Sequence, residues 1–125
     1  MENFVKNEYL EMKIEKGILV GKYNPKLQVD LETAKKLVAM RLELQKGKKY
    51  PVLVEASMSK MDKEAREYMK KEGIEGVVAG AFLMDSFVTA AILNFFLKVS
   101  SPPVPAKMFS NEESALKWLE QFKND

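Results

Sequence analysis

The sequence predicts an α/β domain whose strands and helices follow the order β-β-α-β-α-β-α-β-α. Strand patterns alternate with helical patterns after an initial hairpin, and strands joined through helices form a largely parallel sheet with right-handed crossovers. The length of 125 residues suits one domain with one core. We therefore expect a single domain over residues 1–125, with a mixed, mostly parallel sheet of about five strands.

The first part of the chain has the pattern of a β-hairpin followed by a long helix. Apolar and polar residues alternate over residues 9–14, and a tight turn at 15–17 leads to a second arm at 18–23. Asp30 is the predicted N-cap of a helix from residue 31 to about 45. The predicted inner face of this helix consists of Ala34, Leu37, Val38, Arg41 and Leu44.

The middle of the chain is predicted to continue as strand, helix and strand. Residues 51–55 form a short apolar strand, and Asp62 is the predicted N-cap of a helix whose inner side is Ala65, Tyr68 and Met69. Residues 76–84 read as a buried strand. Because no Gly-Lys-Ser/Thr follows its glycines, Gly76 and Gly80, we interpret them as places of close helix packing and not as a phosphate-binding loop.

The last part is predicted to hold a helix over 87–97, a short strand over 104–109 and a final helix. Asp85 or Ser86 caps the first of these helices, and the prolines at 102 and 103 end it. Residues 110–113, Ser-Asn-Glu-Glu, have the pattern of a capping box for the final helix. The predicted apolar stripe of that helix is Ala115, Trp118, Leu119 and Phe122.

Composition excludes several classes of function. The chain has no cysteine and no histidine, so disulfides, thiol catalysis, Ser-His-Asp triads and zinc sites built on thiolate or imidazole are excluded within one chain. The acidic residues show no EF-hand pattern, and we expect no metal and no cofactor. Net charge is +2 and the lysines are interleaved with glutamates, so we expect no nucleic-acid partner. The N-terminal residues lack the layout of a signal peptide, which favours a cytoplasmic location.

The predicted helix 87–97 gives the most informative functional clue. Residues 76–97 contain one charged side chain, Asp85, in a chain that is 30% charged. A charge at that position, in the middle of the stretch, argues against a membrane span. A helix that is apolar on nearly all sides needs a partner, a ligand or a second layer. The candidate contact residues are Phe87, Ala91, Ile92, Phe95 and Phe96.

Four segments carry a resemblance to a known fold family. They are Leu27-x-Val-Asp-Leu, Tyr50-Pro-Val-Leu-Val, Lys63-Glu-Ala-Arg-Glu-Tyr and Asn94-Phe-Phe-Leu-Lys. Together with the order of elements, they resemble small uncharacterised bacterial proteins of the SpoIIAA-like fold, the fold of STAS domains and anti-sigma-factor antagonists. The likeness extends from about residue 9 to residue 123. It implies a fold and brings no known activity.

The same resemblance bears on regulation by phosphate. In phosphorylatable STAS antagonists, an Asp-Ser-Ser-Gly-type turn precedes a helix, and one of its serines accepts phosphate at the helix N-terminus. The matching residues here are Met61-Asp-Lys-Glu64, which keep the aspartate and lack the serines. Ser57 and Ser59 are the remaining candidate phosphoacceptors, although serines are also ordinary residues of such loops. We expect no phosphate switch at this helix.

No residue set in the sequence identifies a reaction, so we expect a protein that is not an enzyme. The favoured function is regulation by protein–protein contact, as a homodimer and with an unknown regulatory partner, in a bacterial cytoplasm. The alternative is a carrier or sensor that binds a small apolar, lipid-like molecule beside helix 87–97.

Overall fold

Six strands form one mixed sheet in the order β1-β2-β3-β4-β5-β6. The computed structural model describes residues 4–24, 26–55, 61–83 and 104–123. The strands in these ranges are β1 (Phe4–Lys6), β2 (Leu10–Glu15), β3 (Ile18–Tyr23), β4 (Tyr50–Glu55), β5 (Val77–Leu83) and β6 (Ala106–Phe109). The α-helices are α1 (Leu31–Gln45), α2 (Lys63–Lys71) and α3 (Glu112–Leu119), and short 3₁₀ turns follow α2 and α3.

The sheet is antiparallel at its N-terminal side and parallel elsewhere. β1 and β2 pair antiparallel, as do β2 and β3, whereas β4, β5 and β6 each lie parallel to the preceding strand. Lys16 and Gly17 join β2 to β3 with positive φ angles of 52° and 80°. Two consecutive residues of positive φ form the tight hairpin turn that matches the twist of the flanking strands.

The predicted fold class is confirmed, with one strand more than the sequence indicated. The additional strand is β1, whose three residues pair with β2 through Phe4 and Lys13, Val5 and Met12, and Lys6 and Glu11. Strand β5 is among the most buried elements, as predicted, because four of its seven residues are buried. The predicted helix 87–97 lies outside the described residues. None of the described helices is long and apolar enough to cross a membrane.

Helix α1 begins, ends and packs as the sequence predicts. The Asp30 carboxylate accepts a hydrogen bond of 2.8 Å from the Thr33 N–H. Lys46 ends the helix in the left-handed conformation, and its N–H donates to the Leu42 carbonyl at 3.1 Å. All five predicted inner residues are buried, and Gln45 is buried with them. On α2, Ala65 is fully buried while Tyr68 and Met69 pack partly buried against the same core.

The N-cap of α3 differs from the prediction by one residue. Asn111, and not Ser110, occupies the cap, and its side-chain oxygen accepts a hydrogen bond of 2.8 Å from the Ser114 N–H. The predicted capping box is therefore wrong in its register. Asparagine and serine are about equally good caps, so two adjacent candidates leave the helix start ambiguous in the sequence.

The core has two parts, one on each face of the sheet. The α1–α2 cluster joins those helices to alternate residues of the strands, and includes Leu10, Met12, Leu19, Leu37, Val52 and Ala65. The α3 cluster lies on the opposite face and includes Ile18, Val20, Leu53, Ala79, Ala81 and Leu119. Successive strand residues point to opposite faces, so Leu19 belongs to the first cluster and its neighbours Ile18 and Val20 to the second.

The two glycines of the predicted strand 76–84 have different surroundings. Gly76 lies in the turn before β5, with a φ of 78°, and a Cβ there would lie 2.9 Å from the Gln45 Nε2 atom of α1. Gly80 lies within β5, and a Cβ there would approach the Phe82 ring at 3.6 Å. Close helix packing therefore holds at Gly76, outside the strand, whereas the nearest atoms to Gly80 belong to its own strand.

Candidate functional site

The predicted contact residues and the candidate phosphoacceptors lie outside the part of the chain that the structure describes. This applies to Phe87, Ala91, Ile92, Phe95 and Phe96, and equally to Ser57 and Ser59. The described residues flank both groups, since β4 ends at Glu55, the next described residue is Met61, and β5 ends at Leu83. The site is therefore built from the helix starts and surfaces around these positions.

Two helix N-termini lie close together near the carboxyl ends of β3 and β4. Val29 and Met61 form a parallel bridge, and the Asp62 N–H donates to the Val29 carbonyl at 3.0 Å. This bridge holds the residues that immediately precede α1 and α2 side by side. In open α/β sheets, ligands bind beyond the carboxyl ends of the strands. This region is therefore the first candidate for a binding site.

Both N-termini are already capped by carboxylates. The Asp62 Oδ1 atom accepts a hydrogen bond of 2.9 Å from the Ala65 N–H, as Asp30 does from Thr33. The hydrogen bonds from the Thr33 backbone and side chain lower the pKa of the Asp30 carboxyl, because they stabilise its charged form. A phosphate at the start of α2 would meet the negative charge of Asp62 and compete for the same N–H groups.

A groove runs along α2 beside the start of α1. Its volume is about 620 Å³, and it is lined by Leu31, Lys63, Glu64, Glu67, Tyr68, Lys71 and Glu72. Five of these seven side chains are charged, and the groove is open to solvent. Binding sites for small apolar molecules are enclosed and mostly apolar. The open, charged groove therefore lacks the character of a binding site for a small apolar molecule.

Arg41 and Gln45 form a buried polar network at the end of α1. Arg41 donates through Nη1 to the Gln45 Oε1 atom and through Nη2 to the Gly73 carbonyl at 2.9 Å. Burial lowers the pKa of Arg41, and electrostatic interactions with the nearby Tyr23 and Glu75 side chains oppose this shift. An arginine stays protonated at neutral pH even so. The network joins α1 to the α2–β5 connection and supplies no general base.

Tyr23, at the end of β3, is the other group whose ionisation the fold perturbs. Burial raises the pKa of its phenol to about 12, with the positive charge of Arg41 acting in the opposite direction. A phenol with this pKa is neutral at physiological pH. Sequence analysis missed both Tyr23 and Gln45, because neither lies in a motif and their surroundings come from distant parts of the chain.

The face covered by α3 carries a set of aromatic side chains. The Phe109 and Trp118 rings lie 5.6 Å apart between centroids, and Trp118 and Phe122 lie 4.9 Å apart. All three pack against the α3 cluster and are partly buried. The Lys107 ammonium lies 5.6 Å from the Phe109 ring centre, and Lys107 is exposed on β6. These aromatic residues complete the core.

Within the described ranges, no three or more aspartates, glutamates, histidines or cysteines lie close enough together to hold a metal ion. Asp30, Asp62 and Asn111 serve there as helix caps, and Arg41 and Gln45 form the buried network.

Comparison with solved structures identifies the fold. The chain is similar to a protein from Shewanella loihica PV-4, described as an uncharacterised member of the DUF3478 family with a SpoIIAA-like fold. The TM-score is 0.62 at 15% identity, with 92% of this chain and 97% of that chain covered. A protein of unknown function from Arthrobacter sp. FB24 has a TM-score of 0.29 at 22% identity, over 87% of this chain and 97% of that chain. The first similarity agrees with the mixed sheet and the predicted SpoIIAA-like fold.

Comparison with protein families places the chain among domains without an assigned activity. No curated protein matches it. Residues 12–123 match the family model described as Domain of unknown function (DUF7793), which covers almost all of the sheet and all three described helices. The chain therefore belongs to the DUF7793 family.

Proposed function

We propose that this protein is a non-enzymatic regulatory domain that acts by contact with other proteins in the bacterial cytoplasm, as a homodimer. The observation that carries the proposal is the absence of any charged side chain from residue 86 to residue 97, in a chain that is 30% charged. The proposed contact residues are Phe87, Ala91, Ile92, Phe95 and Phe96. An uncharged stretch of this length is costly to leave in water, and a second copy is the simplest cover.

The roles of the polar residues near the strand ends support contact over catalysis. Asp30 and Asp62 cap helices, and Arg41 is held by the Gln45 side chain and the Gly73 carbonyl. Each of these interactions has a structural purpose that needs no substrate. A catalytic group is usually a polar side chain in a cleft with a perturbed pKa and a reacting partner within reach.

The alternative, a carrier or sensor of a small apolar molecule, has less support. The groove along α2 is open and lined mostly by charged side chains, which is the wrong chemistry for a lipid-like ligand. The alternative therefore depends on the same residues, 87–97, as the homodimer does. Mass spectrometry of the purified protein under native conditions separates the two, since a carrier retains a bound molecule and a contact domain shows protein masses alone.

The transfer energy of the phenylalanine rings is of the same order as the cost of association. Burying one phenylalanine ring contributes on the order of 2–3 kcal/mol by transfer from water. Two copies of Phe95 and Phe96 would bury four rings, against an association cost estimated at roughly 4–15 kcal/mol. A charge placed among these rings would lose the transfer energy and add the cost of burying an unpaired carboxylate.

The test is the oligomeric state of charged variants. Phe95→Asp and Phe96→Asp should each sediment as a folded monomer, whereas wild type sediments as a dimer. Phe4→Asp is the matched control, because Phe4 is 42% exposed on β1 and far from this segment in sequence. Circular dichroism confirms that each variant is folded. Dimers that persist in both Phe95→Asp and Phe96→Asp would contradict the proposed interface.

A further inference from the structure

The end of α1 is joined to the distant α2–β5 connection by a buried polar clasp, made of Arg41, Gln45 and the carbonyls of Gly73 and Gly76. Gln45 is 2% exposed and Arg41 is 9% exposed. The Gln45 Nε2 group donates to the Gly76 carbonyl at 2.9 Å and to the Lys48 carbonyl at 2.8 Å. Arg41 binds Gln45 on one side and the Gly73 carbonyl on the other. The clasp thus ties the α2–β5 connection to a helix about thirty positions earlier in the chain.

The clasp lies next to an irregularity in the sheet. Tyr50 of β4 pairs with Val77 of β5, but the next residue, Pro51, pairs with Ala79, so Val78 is an extra residue. The Tyr50 N–H donates to the Gly76 carbonyl at 3.1 Å. That carbonyl therefore accepts one hydrogen bond from the sheet and one from the clasp, at the point where the register shifts.

The register shift decides which face of the sheet each later residue of β5 occupies. Val77 packs with the α1–α2 cluster, whereas Ala79 and Ala81 belong to the α3 cluster. A regular strand would place Val77 and Ala79 on the same face. Slipping the strand by one residue would bring Phe82 to the face where small alanines lie against α3, because a one-residue slip reverses every side chain.

Gly76 fits the clasp because it has no side chain. Its φ of 78° is unfavourable for other residues, and a Cβ would lie 2.9 Å from the Gln45 Nε2 atom and 3.6 Å from the Arg41 Nη1 atom. If β5 slipped, the Gly76 carbonyl would leave Gln45, and a buried donor would lose its acceptor. Such a loss carries a desolvation cost that apolar contacts do not, since apolar side chains can repack.

We propose that the polar clasp is a conformational device that selects the bulged register of β5, with Gln45 as its positioning residue. This inference is independent of the proposed homodimer. In some proteins, buried polar networks select one arrangement among several of similar apolar burial, at a cost in stability. The clasp would act in this way on β5, which contributes residues to both parts of the core.

The test compares Gln45→Met with the double variant Arg41→Met/Gln45→Met. In the single variant, the Arg41 Nη1 group loses its acceptor, and the equilibrium constant for unfolding should rise roughly 5- to 150-fold. In the double variant, no buried charge is left unpaired, so stability should recover toward wild type. Glu43→Met, an exposed change on the same helix, is the matched control. It should leave the equilibrium constant for unfolding unchanged.

The register itself is read by NMR. In wild type, the Phe82 ring should show contacts to the α1–α2 cluster, and the amides of residues 77–83 should form one set of signals. In the double variant, we expect a second set of β5 signals, with contacts from Phe82 to Ala115 and Leu119. One set of β5 signals with wild-type contacts in a folded double variant would overturn the proposal. A double variant that does not fold would also overturn it, since the clasp would then be a requirement for folding and not a choice between registers.

Discussion

At the scale of single residues, Tyr23 predicts a pH dependence of stability. Burial raises the pKa of its phenol to about 12, above the value of 10.0 that it has in the unfolded chain. The folded protein therefore holds this proton more tightly. The corresponding stability is fully present below pH 10 and is lost as the pH rises from about 10 to 12.

The measurement is urea unfolding of wild type and Tyr23→Phe at pH 9 and near pH 12. Over this interval, the free energy of unfolding of wild type should fall by on the order of 1–2 kcal/mol more than that of the variant. This is less than the full 1.36 kcal/mol for each pKa unit, because the ring is partly exposed. The comparison removes the contributions of all ionisable groups that the two proteins share. Equal losses in the two proteins would mean that Tyr23 titrates normally.

The helix caps give a second prediction at this scale. Asp62→Ala should lower the free energy of unfolding by about 1 kcal/mol, because the Ala65 N–H loses its acceptor. Asp62→Asn should lower it by only about a few tenths of a kcal/mol, because asparagine is also a good N-cap. Thermal unfolding followed by circular dichroism measures both. If the two variants unfold alike, the hydrogen bond to Ala65 does not determine the stability of α2.

At the scale of elements, two glycines of similar φ separate backbone strain from crowding. Gly47 and Gly76 have φ angles of 82° and 78°, but a Cβ at Gly47 would have no atom within 4 Å. Gly47→Ala should therefore cost about 1–2 kcal/mol from conformation alone. Gly76→Ala should cost roughly 1–3 kcal/mol more, because it also displaces Gln45 from the Gly76 carbonyl. Urea unfolding measures both losses of stability. Equal losses for the two variants would show that the Gln45 side chain moves aside at no energetic cost.

The elements also show what local sequence patterns can predict. Helix α1 has a cap, a periodic apolar face and a clear end, and all three agree with the structure. Strand β1 was missed because three residues are too few for a period-two pattern. Gln45 was missed because a polar residue in the last turn of a helix looks exposed, and its partner Gly76 lies 31 residues away. Local patterns carry no information about such a pair.

At the scale of the whole molecule, the fold was predictable and the site only in part. The order of strands and helices indicated the sheet, whose strands follow one another without a change of order. The caps at Asp30 and Asp62 were predicted as caps and proved to be so. The groove along α2 was not predicted, because its lining comes from two helices whose relative position depends on packing.

The family resemblance supports a prediction about regulation. The start of α2 keeps the aspartate of the antagonist turn but has Lys63 and Glu64 where phosphorylatable antagonists have serines, and Asp62 already caps the helix. We expect no stoichiometric phosphate on Ser57 or Ser59 after incubation with a bacterial extract rich in serine kinases, followed by phosphopeptide mapping. Ser59→Ala should have no effect on any partner interaction. Full phosphorylation of either serine would contradict this prediction.

The central claim is that the uncharged stretch 86–97 brings two copies of the chain together. Sedimentation equilibrium of the wild-type protein across a wide range of concentration tests it most directly. We predict a reversible monomer–dimer equilibrium that approaches twice the chain mass of 14.3 kDa. A wild-type protein that stays monomeric at every concentration would contradict the claim, whether or not its native mass spectrum shows a bound molecule.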